Sequence, residues 1–226
     1  MRSYLFLPIL ILALSIGLSA CQVESRDLIC EQLLANALQP YIGQEITADT
    51  FIEVVEKAYD LPTQDIQLNR HKDGSWFLNW NQHGLGYGVL SKNGKYLDRI
   101  GINYGAREFS VKRLFECVST LPEWYWAAYG SNPPTMGIRY AFTLYFPMQG
   151  IVATAGGSGR NPKELPHLNE DITISDVFIG TPGSLSDLYK QRWEHSLEGV
   201  RSGLHPLPWP KDWNEVRFIE DQGLGW

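Results

Sequence analysis

The apolar positions of this chain fall into two periods, one of helices and one of strands. From Thr50 to Ala58 they are Phe51, Val54, Val55 and Ala58; from Ser110 to Val118 they are Val111, Leu114, Phe115 and Val118. Both sets follow i, i+3, i+4, i+7, which places them on one face of an α-helix. Thr47 or Thr50 in the first segment and Ser110 in the second supply N-cap hydroxyls. Each segment stops at a Leu-Pro pair, Leu61-Pro62 and Leu121-Pro122. Proline lacks an amide proton and biases the residue before it away from helix. The matched segments lie 60 residues apart, an offset that reads as an internal repeat. Two unrelated amphipathic helices would carry the same pattern.

Strand signals follow each helix. After the first come Trp76 to Trp80, Tyr87 to Leu90 and Tyr96 to Tyr104, with Asn93-Gly94 as a type I′ hairpin turn between the last two. After the second, Ile138 to Phe146 alternates Ile138, Tyr140, Phe142, Leu144 and Phe146 with Arg139, Ala141, Thr143 and Tyr145. That period of two sets one face on a core. Ile151 to Ala155 and Ile172 to Ile179 are further strands, separated by a loop from Gly156 to Glu170. An earlier helix is expected from Asp27 to Gln39, ended by Pro40, and a late one from Ser184 through Leu185, Leu188, Tyr189, Trp193 and Leu197. Leu204 to Trp213, rich in Pro and Trp, reads as an extended run over the surface. These elements predict an α+β fold. It consists of two tandem helix-then-three-strand units, about 47–106 and 107–190, whose antiparallel sheet packs against helices. Residues 47–226 form one domain with a C-terminal Pro/Trp-rich extension.

This element order and repeat length resemble the tandem helix-plus-sheet architecture of the β-lactamase inhibitory protein family, and small outer-membrane-assembly lipoproteins built from one such unit. The resemblance implies protein binding on a sheet face, an inference by analogy of fold.

The first 21 residues have a different character. Arg2 gives a short positive start, and Tyr4 to Leu18 is apolar apart from Ser15, with Pro8 and Gly17 interrupting. The run is shorter than the ~20 residues of a comfortable bilayer span, and it ends in small residues before a cysteine, as export signals do. Leu18-Ser19-Ala20-Cys21 resembles the lipobox of bacterial lipoproteins. In that family the Cys thiol takes a diacylglycerol, and cleavage then frees its amine for acylation. The resemblance implies a signal peptide over 1–20, Cys21 as the lipidated first residue, and a tether and first helix over 21–46. It places the domain outside the cytoplasm, on the cell membrane or outer membrane. Gln22, where retention usually needs Asp, implies the outer membrane in a Gram-negative host. An ordinary secretory signal and an uncleaved anchor are the alternatives.

Charge and cysteines narrow the compartment further. The chain carries 19 Lys and Arg against 25 Asp and Glu; loss of Arg2 with the signal takes the formal charge from -6 to -7. An acidic chain argues against nucleic-acid binding. With Cys21 lipidated, Cys30 and Cys117 remain, and two thiols in an exported chain point to one disulfide. Two separate buried thiols, or a catalytic Cys-His pair, are the other readings.

Candidate chemistry is sparse. His71, His83, His167, His195 and His205 show no metal-ligand spacing, and His71-Lys72-Asp73-Gly74 reads as a solvated turn. Gly156-Gly157-Ser158-Gly159-Arg160 has neither the Gly-Lys-Ser of a phosphate loop nor the second glycine of a hydrolase elbow, so it reads as a flexible loop. Glu53 and Glu56, Glu170-Asp171 and Glu220-Asp221 read as solvated acid rather than a glycosidase pair. No catalytic residue, metal or cofactor is expected. The best binding candidates are Trp76, Trp80, Trp124 and Trp126, whose rings can stack on sugars or anchor a protein interface; filling the core is their other use. The expected function is a non-catalytic protein-binding or structural module, held at the membrane by its N-terminal lipid and meeting an envelope protein partner. A surface carbohydrate- or small-ligand-binding lipoprotein and an envelope hydrolase are the alternatives.

Overall fold

The computed structural model describes residues 30–105, 109–131, 137–188, 206–210 and 212–220. The expected export segment, Cys21, the start of the first expected helix, His195, His205 and the expected late helix beyond Leu188 lie outside the described residues.

Two helices form where the periodicity places them. α1 spans Ala48–Tyr59; the Thr47 hydroxyl caps it by accepting from the Thr50 amide, and Asp60 ends it in the left-handed conformation. α2 spans Val111–Val118; the Ser110 hydroxyl accepts from the Arg113 amide, and Ser119 ends it left-handed. Thr47, not Thr50, is the cap of α1, so the first helix is a turn longer than the second. Leu185 to Leu188 are helical. There the Ser184 hydroxyl accepts from the Asp187 amide, and the Asp187 carboxylate accepts from the Ser184 amide. This reciprocal arrangement is a capping box.

The remainder is one mostly antiparallel sheet. Its strands are β1 (Gln67–Arg70), β2 (Trp76–Gln82), β3 (Leu85–Lys92), β4 (Tyr96–Asn103), β5 (Trp124–Ser131), β6 (Ile138–Phe146), β7 (Ile151–Gly159), β8 (Asp176–Ile179), β9 (Leu207–Pro208) and β10 (Ile219–Glu220). The order is β1-β2-β3-β4-β8-β7-β6-β5-β10, with β9 also on β5. β4 and β8 meet antiparallel at the centre, Ile100 facing Ile179 and Asn103 facing Asp176. On either side of that seam the strands run back in reverse chain order. The Asn93-Gly94 turn forms as expected: both residues have positive φ, and the Lys95 amide reaches the Lys92 carbonyl.

Four strands, not three, lie between α1 and α2, and four, β5 to β8, follow α2 before the two-residue β9 and β10. β1 is an exposed polar edge strand, so no alternation betrays it. β5 was hidden for the opposite reason: Tyr125, Trp126, Ala127 and Ala128 are all buried, so both faces are apolar and the period of two vanishes. The Gly156 to Gly159 run is not a loop but the end of β7, pairing with Ile138 to Ala141 of β6. Glycine is needed there because a Cβ on Gly157 would lie 2.5 Å from the Tyr140 hydroxyl oxygen. The first helix is shorter than expected. Residues 30–33 are helical, then Ala35 turns left-handed, and Pro40 sits inside a 3-10 turn rather than at a helix end.

The core lies between the helices and one face of the sheet. Phe51, Val55 and Tyr59 of α1 pack with Trp76, Leu78, Trp80, Tyr87, Val89, Ile100 and Ile102, and the same layer continues through Ala153, Leu144 and Phe142. Cys30 and Cys117 are bonded, tying the N-terminal turn to α2 across 87 residues. In the chain-entropy picture, closing so long a loop is worth about 4 to 5 kcal/mol. Two phenols hold the same turn: Tyr87 donates to the Gln32 carbonyl and Tyr104 to the Leu33 carbonyl. Burial pushes the Tyr104 phenol well above its ordinary range. The C-terminal segment is extended, as expected, but it seals the sheet rather than merely lying on it. β9 and β10 pair along β5, and Trp209 and Trp213 close on Phe115.

Candidate functional site

Residues that alternate with the core positions of β2, β3, β4 and β8 point to the other face of the sheet. In register they form three rows. Phe77, Leu90 and Arg99 make the first; Asn79, Gly88, Gly101 and Phe178 the second; Asn81, Gly86, Asn103 and Asp176 the third. Three glycines in two adjacent strands leave a floor without side chains. β2 stands on one side with Phe77, Asn79 and Asn81, and β8 on the other with Asp176 and Phe178. The result is an open trench of about 790 Å3 along the strands, with His71 at the end nearest Phe77. β2 and β8 are three inter-strand spacings apart, so the walls stand ~14 Å apart measured between strand axes.

The chemistry of this trench is amide, aromatic and sparsely charged. Asn81 and Asn103 are exposed and Asn79 is half-buried, so three side chains offer both donors and acceptors. The Asn103 carbonyl oxygen accepts from the Gly105 amide, which orients that side chain. The Arg99 guanidinium lies 5.6 Å from the centre of the Phe178 ring, a cation–π contact, and its Nε is 3.7 Å from Asp98. The Asp176 carboxylate accepts from the Ser175 hydroxyl.

The glycines of the floor do not have the same cause. None of Gly86, Gly88 and Gly101 has a positive φ, so backbone conformation asks for glycine at none of them. A Cβ on Gly88 would come 3.0 Å from the Phe77 ring, and one on Gly86 would come 3.3 Å from the Asn81 amide oxygen. Those two make room for neighbours within the fold. A Cβ on Gly101 would meet nothing closer than the Gly88 carbonyl at 3.7 Å, an ordinary contact. A glycine inside a strand costs about 0.5 to 1 kcal/mol relative to alanine. At Gly101 no close contact of a Cβ accounts for that cost.

The residues singled out in the sequence lie elsewhere. Trp76 and Trp80 are buried on the helix side, Trp80 stacked on Tyr87 at 5.1 Å. Trp126 is buried on the opposite face under Leu188, and Trp124 is half-buried beside it. Large rings were needed to fill the layers on both sides of a wide sheet, which is why these side chains turn inward. Cys30 and Cys117 are joined to each other, so neither is a catalytic thiolate. His71 does sit in a turn, where its amide donates to the Ser75 carbonyl and the Asp73 carboxylate accepts from Ser75. Those bonds hold Asp73 below the usual carboxylate range. Glu56 accepts from the Thr63 hydroxyl, and Glu170 pairs with Lys112 at 4.0 Å. Among the described residues no group of three His, Cys, Asp or Glu is placed to hold a metal. The trench itself escaped sequence reasoning, although the glycines at alternate positions 86 and 88, beside Asn79 and Asn81, carried the signal.

No protein-family model matches this chain, and neither a curated protein nor a solved structure matches it.

Proposed function

We propose that this chain is a lipid-anchored envelope protein acting as a non-catalytic protein-binding module, with the trench on β2, β3, β4 and β8 as its docking surface. The observation that carries this reading is the glycine-floored face, uncovered among the described residues, large enough for a specific contact and lined by groups that hydrogen-bond without committing to one charge. The lipobox-like Leu18-Ser19-Ala20-Cys21 supports anchoring through Cys21 at the cell membrane or outer membrane. The Cys30–Cys117 bond supports an oxidising compartment outside the cytoplasm. The reverse-ordered strands on either side of the β4–β8 seam, each set preceded by a helix with matching caps, support a duplicated helix-plus-four-strand unit. Burial of Trp76, Trp80 and Trp126 favours the protein-binding reading over the surface-carbohydrate one.

Two measurements test this reading. The intact mass of the membrane-extracted protein should equal residues 21–226 plus lipid; an unlipidated mass would remove the anchor. A photo-crosslinking residue at Asn79 or Asn103, in the native host, should form a protein adduct of discrete mass that the same probe at Glu53 on α1 does not. Equal labelling from both faces, or none from either, overturns the docking reading.

A further inference from the structure

Resting on the docking reading, we infer that the trench takes an extended main-chain segment of a partner protein, lying along β3 and β4 with its backbone against Gly101. Three observations point to this class of occupant. First, Gly101 is the floor position where a Cβ would meet no close contact, and a strand glycine often marks close approach of a ligand or another backbone when no bulge or bend at that residue accounts for it. Second, the side chains bordering the floor at Asn79, Asn81 and Asn103 are primary amides. A primary amide carries the same donor and acceptor as a peptide group and so complements an uncharged main chain in either direction. Third, the dimensions select an extended strand or loop. Of the ~14 Å between wall strands, the wall side chains take a share, and an α-helix with its side chains is about 10 to 12 Å across. Phe77 and Leu90, both half-buried at the His71 end, form an apolar seat for one side chain of that segment.

The test is a substitution that fills the trench without disturbing the fold. Gly101→Val adds a β-branched side chain at a strand position where a Cβ meets only an ordinary contact, so its melting temperature should match or exceed that of the natural protein. The binding probe is a displayed library of random linear decapeptides selected on the full exported chain. Selected peptides should shift the amide resonances of Gly88, Gly101 and Asn103, lose at least tenfold in affinity on Gly101→Val, and weaken on Asn79→Ala. If Gly101→Val unfolds the chain, Gly101→Ala serves, with a smaller loss of affinity expected. Selected peptides that bind Gly101→Val undiminished overturn the inference. So does chitohexaose shifting those resonances where no peptide does. Crosslinks from Asn79 that form in the host and persist in Gly101→Val leave the docking reading standing and sink this one. Absence of any crosslink from the trench sinks both.

Discussion

The outer face of the sheet is two different surfaces. Over β5, β6 and β7 it carries Trp126, Ala128, Ala141, Tyr145 and Val152, closed over by Leu188 and Leu185. Over β2, β3 and β4 the corresponding positions are Asn79, Asn81, Gly86, Gly88, Gly101 and Asn103. The inner face does not make this distinction: both halves place aromatic and branched side chains under a capped helix. Among the described residues, one sheet therefore has a three-layer core at one end and a two-layer core with an open face at the other. The covered end spends its outer positions on stability, and the other end does not.

Truncation should separate the two ends most sharply. Leu188 is fully buried, so Leu188→Ala should cost about 2 to 5 kcal/mol. Leu90→Ala, on the half-buried rim of the trench, should cost well under half as much. Paired denaturant titrations measure both, and equal losses would mean that the open end is part of the stabilising core. A smaller effect is expected at the clamp on the N-terminal turn. Tyr104→Phe removes the hydroxyl bonded to the Leu33 carbonyl and should cost about 0.5 to 1.5 kcal/mol at neutral pH. Its pH dependence has a definite sign. The folded phenol is raised above its unfolded value of 10.0, chiefly by burial. The unfolded chain therefore releases that proton first, and stability falls as pH climbs above 10 toward the folded value. Stability curves from pH 9 to 11 should be shallower for Tyr104→Phe; parallel curves would remove Tyr104 from the alkaline limb. The smallest effect has the opposite direction. Thr143 is buried at the covered end, and its hydroxyl has no hydrogen-bond partner among the described residues. Thr143→Val, nearly the same shape, should raise stability by about 1 kcal/mol. A lower melting temperature would show that the hydroxyl is satisfied after all.

What the chain disclosed in advance follows the same division. α1 and α2 were legible because a helix with one buried face must repeat its apolar residues at i, i+3, i+4, i+7, and because Thr47, Ser110 and the Leu-Pro stops mark its ends. The Asn93-Gly94 hairpin and the Cys30–Cys117 bond were legible from local chemistry. β2, β3 and β4 were readable because one face is apolar and the other is not. That same contrast is absent from β5, apolar on both faces, and from β1, polar throughout. Gly156 to Gly159 misled because glycine is read as loop when its cause, the Tyr140 ring across the ladder, is remote in the chain. The trench was missed for a related reason. Attention went to large aromatics, whereas the open face is made by small residues, and what they leave room for becomes visible only in register.

The bond between Cys30 and Cys117 also governs how the molecule bears a pull. Tension between the two chain ends enters at Cys30, crosses the sulfur–sulfur bridge and continues from Cys117, so residues 31–116 form a covalently closed loop outside the loaded path. That loop contains α1 and all of β1 to β4. A stretch applied between residues before Cys30 and residues after β10 would draw out β5 to β10 before it could lengthen the strands that floor the trench.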